Sequence, residues 1–171
     1  MDVDIQQSTA MKLSEVNFGE PFFISAFGLV QIGLKVSFDE GRKLPGIIFF
    51  TNEGHPDLKV PAVLDAQSYG NESILSIEHA KLRRSEDRAT VKFGLPSYLT
   101  IGAMILDDAQ NLILRCYDGQ RSTRDIDTST WTVTQPGIAR SRFWFSSASI
   151  VVPCEAGKFR EIVSISASAD D

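Results

Sequence analysis

At 171 residues the chain has the length of one domain with a substantial core. Its composition, 43% hydrophobic and 23% charged, excludes wholesale disorder. The net charge of −5 argues against non-specific binding to nucleic acid or anionic membranes, and no apolar run reaches the ~20 residues a membrane helix needs.

Residues 1–12 are expected to form a flexible N-terminal segment, 13–167 a single β domain and 168–171 a flexible tail. The opening residues, MDVDIQQSTAMKLSE, lack the basic start and apolar run of a secretory signal. That places the protein in the cytoplasm, or in a virion assembled there.

From Phe22 to Phe38 the even positions are all apolar or glycine, while Gln31, Gly33, Lys35, Ser37 and Asp39 alternate with them. A period of two is that of a strand, with one dry and one wet face. Phe23, Phe27 and Leu29 make the earlier half apolar on both faces, so that half is predicted to be covered on both sides. Gly28 and Gly33 mark a bend or bulge, which makes the stretch one strand or two strands meeting at a bend.

Turn chemistry from Phe38 to Gly46 precedes the apolar run Ile47–Phe50, and a second loop covers Asn52–Asp57. Leu58, Val60, Ala62 and Leu64 alternate with polar residues and with Pro61, which lacks an N–H and predicts an edge strand. SILSIEHAKLRRS, residues 73–85, fits neither period cleanly. It reads as a bulged strand that pairs through Ser85-Glu86-Asp87 with Val91, Phe93 and Leu95.

Two apolar arms flank Asp107–Asn111 as a hairpin. Asp118–Thr130 is polar and reads as the longest loop, followed by a short strand opening at Trp131 and Val133. A long strand from about 140 to 152 and a last one from 159 to 167 complete the set. About ten closely spaced strands with little or no helix predict an all-β domain, an antiparallel β-sandwich or β-barrel, with no internal repeat of fixed period.

Chemistry-bearing patterns are sparse. Cys116 and Cys154 have no CxxC and no neighbouring histidine, which argues against structural zinc; a disulfide and a pair of free thiols both stay open. His55-Pro56-Asp57 matches half of a two-histidine, one-carboxylate iron site, with His79 the sole further histidine. No nucleophile elbow or phosphate-binding glycine loop is present, and no cofactor is implied.

Arginine outnumbers lysine ten to seven and clusters at Arg83, Arg84 and Arg88, at Arg121 and Arg124, and at Arg140 and Arg142. On a strand, Arg140, Arg142 and Trp144 share a face that could grip a phosphate and stack on a base, with Phe143 and Phe145 in the core. Alternatively the arginine stems simply shield the Trp144 rim.

Arg84-Ser85-Glu86-Asp87-Arg88 resembles the first half of the PilZ signature, found in β-barrel modules that bind cyclic di-GMP. Asp127-Thr128-Ser129-Thr130-Trp131-Thr132 is an imperfect counterpart of the second half, with Thr where that family has Gly, and the two pieces lie far apart. The resemblance covers these two pieces and carries no claim of membership. It implies an anion pocket of Arg84, Arg88, Asp127 and Ser129.

Three functions follow as expectations. The first is a non-enzymatic β domain acting through contacts with a protein partner or with copies of itself, as a binding module or assembly subunit of the phage or secretion kind. The second is a binder of nucleotide or phosphate ligands built on the clustered arginines. The third is a metal-dependent β-barrel enzyme using His55 and Asp57.

Overall fold

The computed structural model describes residues 8–38, 44–97, 99–120, 122–134, 143–154 and 157–168. It is nearly all β, as the two-residue rhythm predicts, with no α-helix among the described residues and only short 3-10 turns between strands. The strands are β1 (Ser8–Lys12), β2 (Pro21–Ala26), β3 (Leu29–Ser37), β4 (Pro45–Phe49), β5 (Ala62–Asp65), β6 (Ser73–Ile77), β7 (Lys81–Arg84), β8 (Val91–Phe93), β9 (Met104–Leu106), β10 (Leu112–Tyr117), β11 (Thr123–Asp127), β12 (Thr132–Thr134), β13 (Phe143–Phe145), β14 (Ser147–Pro153) and β15 (Phe159–Ser166).

Their pairing closes a ring. β3 pairs antiparallel with β4, β4 with β5, β10 with β11 and β11 with β12. Two single parallel contacts complete it, Ala62 with Tyr117 and Ser37 with Thr132. The backbone N–H of Tyr117 donates to the Pro61 carbonyl and that of Ser37 to the Trp131 carbonyl, each at 2.8 Å. A six-stranded barrel results, and closure removes the exposed edges that these strands would otherwise present. Ile32, Leu34, Val36, Ile48, Leu114 and Ile126 belong to the main core cluster, and a three-stranded sheet, β15–β14–β7, adds Ala148, Ile150 and Val152 to it.

The barrel is built from two copies of one backbone pattern. In each, a left-handed glycine precedes a strand that pairs with a longer one. Gly19 (φ +85°) donates to the Lys35 carbonyl, and Gly102 (φ +82°) donates to the Arg115 carbonyl. Lys35 N–H returns a bond to Glu20, and Arg115 N–H returns one to Ala103. Each long strand, β3 or β10, then turns into a hairpin, and the second arm of each hairpin's successor seals the barrel against the other copy. The chain thus uses one backbone pattern twice, though at no fixed sequence period. Its sequence trace is Ser14-x-Val16-x-Phe18-Gly19 against Ser97-x-Leu99-x-Ile101-Gly102, together with Leu34-Lys35-Val36 against Leu114-Arg115-Cys116.

Several strands differ from the sequence pattern. Phe27 (φ +56°) and Gly28 (φ +79°) form a two-residue turn between β2 and β3, both in the left-handed region that such hairpins need. The coverage of β3 differs from the expected one: Ile32, Leu34 and Val36 are buried as predicted, but Gln31, Lys35 and Ser37 are buried too, while Leu29 and Val30 at the hairpin tip are exposed. The polar face is dry because loops cover it and satisfy its groups. Gln31 donates to the Glu53 carbonyl at 2.6 Å and accepts from the Thr51 hydroxyl at 2.7 Å.

Pro61 does not mark an edge, since β5 is flanked by β4 and β10 and the proline lies just before it, offering only its carbonyl. Residues 73–85 are two strands in different sheets. β6 pairs with β1 and β2, β7 pairs with β14, and left-handed His79 (φ +60°) turns the chain between them. β7 and β8 do not pair with each other. Both lie against the nearly continuous strand β13–β14, which breaks at Ser146. The predicted long loop 118–130 contains β11, whose Thr123, Asp125 and Ile126 are buried. Ser8–Lys12, placed by sequence in the loose N-terminal segment, is β1, hydrogen-bonded along β6. At the other end, Ser168 bridges to Ile101.

Candidate functional site

The residues singled out by sequence fall in separate places. Arg84 ends β7, with its guanidinium carbon 4.6 Å from the centre of the Phe145 ring, and Arg88 opens the exposed 3-10 turn 88–90. Asp127 ends β11, where its carboxylate accepts from the Ser129 backbone N–H at 2.8 Å and hydroxyl at 2.6 Å. Those bonds close the chain's own turn. Cross-strand neighbours run Asp127–Ile113–Ile105–Trp144–Lys92. Four strand spacings, roughly 19 Å along the sheet, therefore lie between Asp127 and β8. The pair Asp127/Ser129 and the pair Arg84/Arg88 are not brought into one concavity by this topology.

Trp144 alternates with Phe143 and Phe145 as predicted: Phe143 and Phe145 pack on the main core, and Trp144 packs on the other face with Ala103, Ile105 and Ile113. Arg140 and Arg142, the proposed companions of Trp144, lie outside the described residues, as does Arg121.

His55 stands edge-on to Phe27, ring centres 5.1 Å apart, in an exposed turn with Asp57. No group of three or more His, Cys, Asp or Glu that could hold a metal occurs among the described residues. His79 instead lines a groove of about 420 Å³ with Glu15, Glu20 and Glu78. Each of those carboxylates is engaged locally: Glu15 accepts from the Lys12 N–H, Glu20 from the Asn17 N–H and amide, and Glu78 from the Thr9 hydroxyl.

The two buried cations among the described residues hold loops rather than ligands. Lys35, 6% exposed, donates to the carbonyls of Leu13 at 3.0 Å, Ser14 at 3.2 Å and Val16 at 2.6 Å, which accounts for all three ammonium protons. Burial lowers its pKa, and the charge of Glu20 offsets part of that. Arg115 forms a two-bond fork with Asp125, at 2.7 and 3.0 Å, and donates to the Ser97 carbonyl at 2.9 Å. Cys116 and Cys154 are both free thiols. Burial, and secondarily the charge of Asp125, raises the Cys116 pKa well above its usual value, so this thiol stays protonated and unreactive.

What remains is an edge. Among the described residues, no second strand pairs with the outer side of β7 or of β8. Ser85 N–H donates to the Ser147 carbonyl at 2.9 Å, and bonded pairs alternate along an antiparallel ladder. The alternation directs the backbone groups of Leu82 and Arg84 away from β14. By the same logic, the bond from Ser146 N–H to Thr90 turns those of Phe93 outward.

Phe93 is 89% exposed and is followed by exposed Leu95 and Leu99. Residues 81–93 carry five cations, Lys81, Arg83, Arg84, Arg88 and Lys92, against Glu86 and Asp87, a local balance of +3. The rest of the chain then holds 12 cations against 20 carboxylates, or −8. Lys81 and Lys92 lie outside the arginine clusters, and a running charge sum over this acidic chain carries the signal that includes them.

On β7 the two consecutive arginines lie over aromatic rings on opposite faces. Arg84 lies over Phe145, and Arg83 lies over Phe159 with its guanidinium carbon 4.7 Å from the ring centre. Arg83 also forms an ion pair with the exposed carboxylate of Glu86. Compared with family models, with curated proteins and with solved structures, the chain matches none.

Proposed function

We propose that the chain is a non-enzymatic β module that works by binding another protein along its β7–β8 edge. The observation that carries this reading is Phe93, 89% exposed at the end of an edge strand and followed by the exposed side chains of Leu95 and Leu99. Isolated apolar residues on a surface need no explanation, but three within seven residues, at the end of an open edge strand and just beyond it, support a contact surface there. Burying a phenylalanine contributes about 1.5–3 kcal/mol, so Phe93→Ser weakens partner binding by about ten- to a hundredfold.

The test joins light scattering at micromolar concentration with affinity capture by the wild type and by Phe93→Ser. The reading expects either self-association or a captured partner, lost in the variant. A sharp monomer with no Phe93-dependent partner contradicts it.

A second reading, an anionic small ligand held by Arg84 and Arg88, is favoured by the exposure of both side chains on that same edge. Thermal-shift measurement with nucleotides tests it; no shift at saturating nucleotide removes it.

A further inference from the structure

We infer that β7 is a docking strand for an extended acidic segment of a partner protein, which adds as a fourth strand to the sheet β15–β14–β7. The inference rests on the reading of this edge as a protein-contact surface and names the chemistry of the partner.

Three observations converge on that occupant. The outward backbone groups of Leu82 and Arg84 offer two donors and two acceptors at the spacing of a strand, which an extended peptide satisfies and a globular surface does not. Arg83 and Arg84 are neighbours in sequence and therefore point to opposite faces, each with its guanidinium laid on an aromatic ring. A guanidinium held over a ring can still direct its N–H groups at a carboxylate, as Arg83 does at Glu86. In an added strand, consecutive residues also point to opposite faces, so two successive carboxylates on the partner meet the two arginines directly.

The charge balance of the edge, +3 against −8 for the remainder, favours an acidic partner and disfavours pairing of this strand with a copy of itself, which would set arginines opposite arginines. Glu86, in ion contact with Arg83, already occupies one half of the recognition site with a carboxylate of this chain. A partner carboxylate must displace or share with it.

The experiment titrates the full chain with a twelve-residue peptide that alternates threonine and valine around a central Asp-Asp pair, and follows backbone amide resonances. Controls are the same peptide with Lys-Lys at its centre and a single-stranded DNA oligonucleotide. The expected result is a shift of the Leu82 and Arg84 amides, at least about tenfold weaker binding of the Lys-Lys peptide, and tighter binding by Glu86→Gln. Arg88→Glu, an exposed turn residue whose substitution leaves the core intact, weakens the Asp-Asp peptide about threefold to tenfold.

Equal binding of the two peptides, or shifts confined to other residues, overturns the inference. Equal perturbation of the same amides by DNA also overturns it, in favour of a general anion surface. If Phe93-dependent capture persists while the peptide leaves β7 untouched, the acidic-segment inference falls and the contact-surface reading stands. If both fail, both fall.

Discussion

The two halves of the barrel solve the same problem with different chemistry. Each buries a cation at the matching point of its long strand, and each cation holds the loop that leads into that half. Lys35 does it with carbonyls alone, tying down Leu13, Ser14 and Val16. Arg115 adds a buried carboxylate, Asp125, and reaches the Ser97 carbonyl with the nitrogen left over. The Lys35 ammonium is held by neutral dipoles, and burial lowers its pKa although the charge of Glu20 offsets part of that effect. The Arg115 guanidinium has its charge met by a carboxylate within the same interior. The halves therefore share geometry and differ in what breaks them.

The largest expected effect lies in the second half. Asp125→Ala strands the Arg115 charge in the interior and costs about 3–5 kcal/mol, read by urea unfolding, whereas the double variant Arg115→Met/Asp125→Leu recovers most of that loss. A double variant no more stable than Asp125→Ala would show that the pair does more than neutralise itself. In the first half, Lys35→Met removes a charge that has no such partner. It leaves three carbonyls without their donor and costs about 1–3 kcal/mol, less than Asp125→Ala.

The two left-handed glycines sharpen the comparison further. Alanine at either position costs about 1–2 kcal/mol of backbone strain. At Gly19 the added Cβ would also overlap the Trp131 indole, while at Gly102 it would come 3.1 Å from the Ser166 carbonyl. Gly19→Ala should lower Tm more than Gly102→Ala, and the reverse order would contradict this difference in surroundings.

The smallest effect is on pH dependence. Because the folded-state pKa of Lys35 lies below its ordinary 10.5, the unfolded chain binds more protons between the two values. The Lys35 contribution to stability therefore rises with pH through that window and is least favourable below it. The difference in unfolding free energy between wild type and Lys35→Met should move toward the wild type as pH climbs to about 10.5. Cys116, whose raised pKa acts in the opposite direction, is common to both proteins and cancels. A flat difference would mean that the ammonium is better compensated than its three carbonyls suggest.

Much of the fold was legible because alternation is local. The β2–β3 stretch, the 107–111 hairpin and the opposed faces of Phe143 and Trp144 follow from side-chain period alone. What stayed hidden depended on contacts distant in sequence. Gln31 and Lys35 read as wet positions because polar residues on a strand usually face water, yet loops fold over them. β11 read as loop because its buried Asp125 is explained only by Arg115, ten residues upstream. The repeat escaped because its signature is a glycine and a cation with variable apolar residues around them, offset by 83 residues at Gly19 and Gly102 but by 80 at Lys35 and Arg115. For the candidate site, the arginine cluster at 83–88 was visible in the sequence. Its stacking on Phe145 and Phe159 and its place on an open edge were not, since both need the β13–β14 and β15 neighbours.

The barrel strands are closed on both sides and the β7–β8 edge is open on one, and amide hydrogen exchange in the free protein measures that difference directly. The account predicts alternation along the edge: slow exchange at Arg83 and Lys92, whose N–H groups face β14 and β13, and fast exchange at Leu82, Arg84 and Phe93. Uniform protection across residues 81–93 would mean that the edge is already covered, and the docking surface proposed for it would not exist.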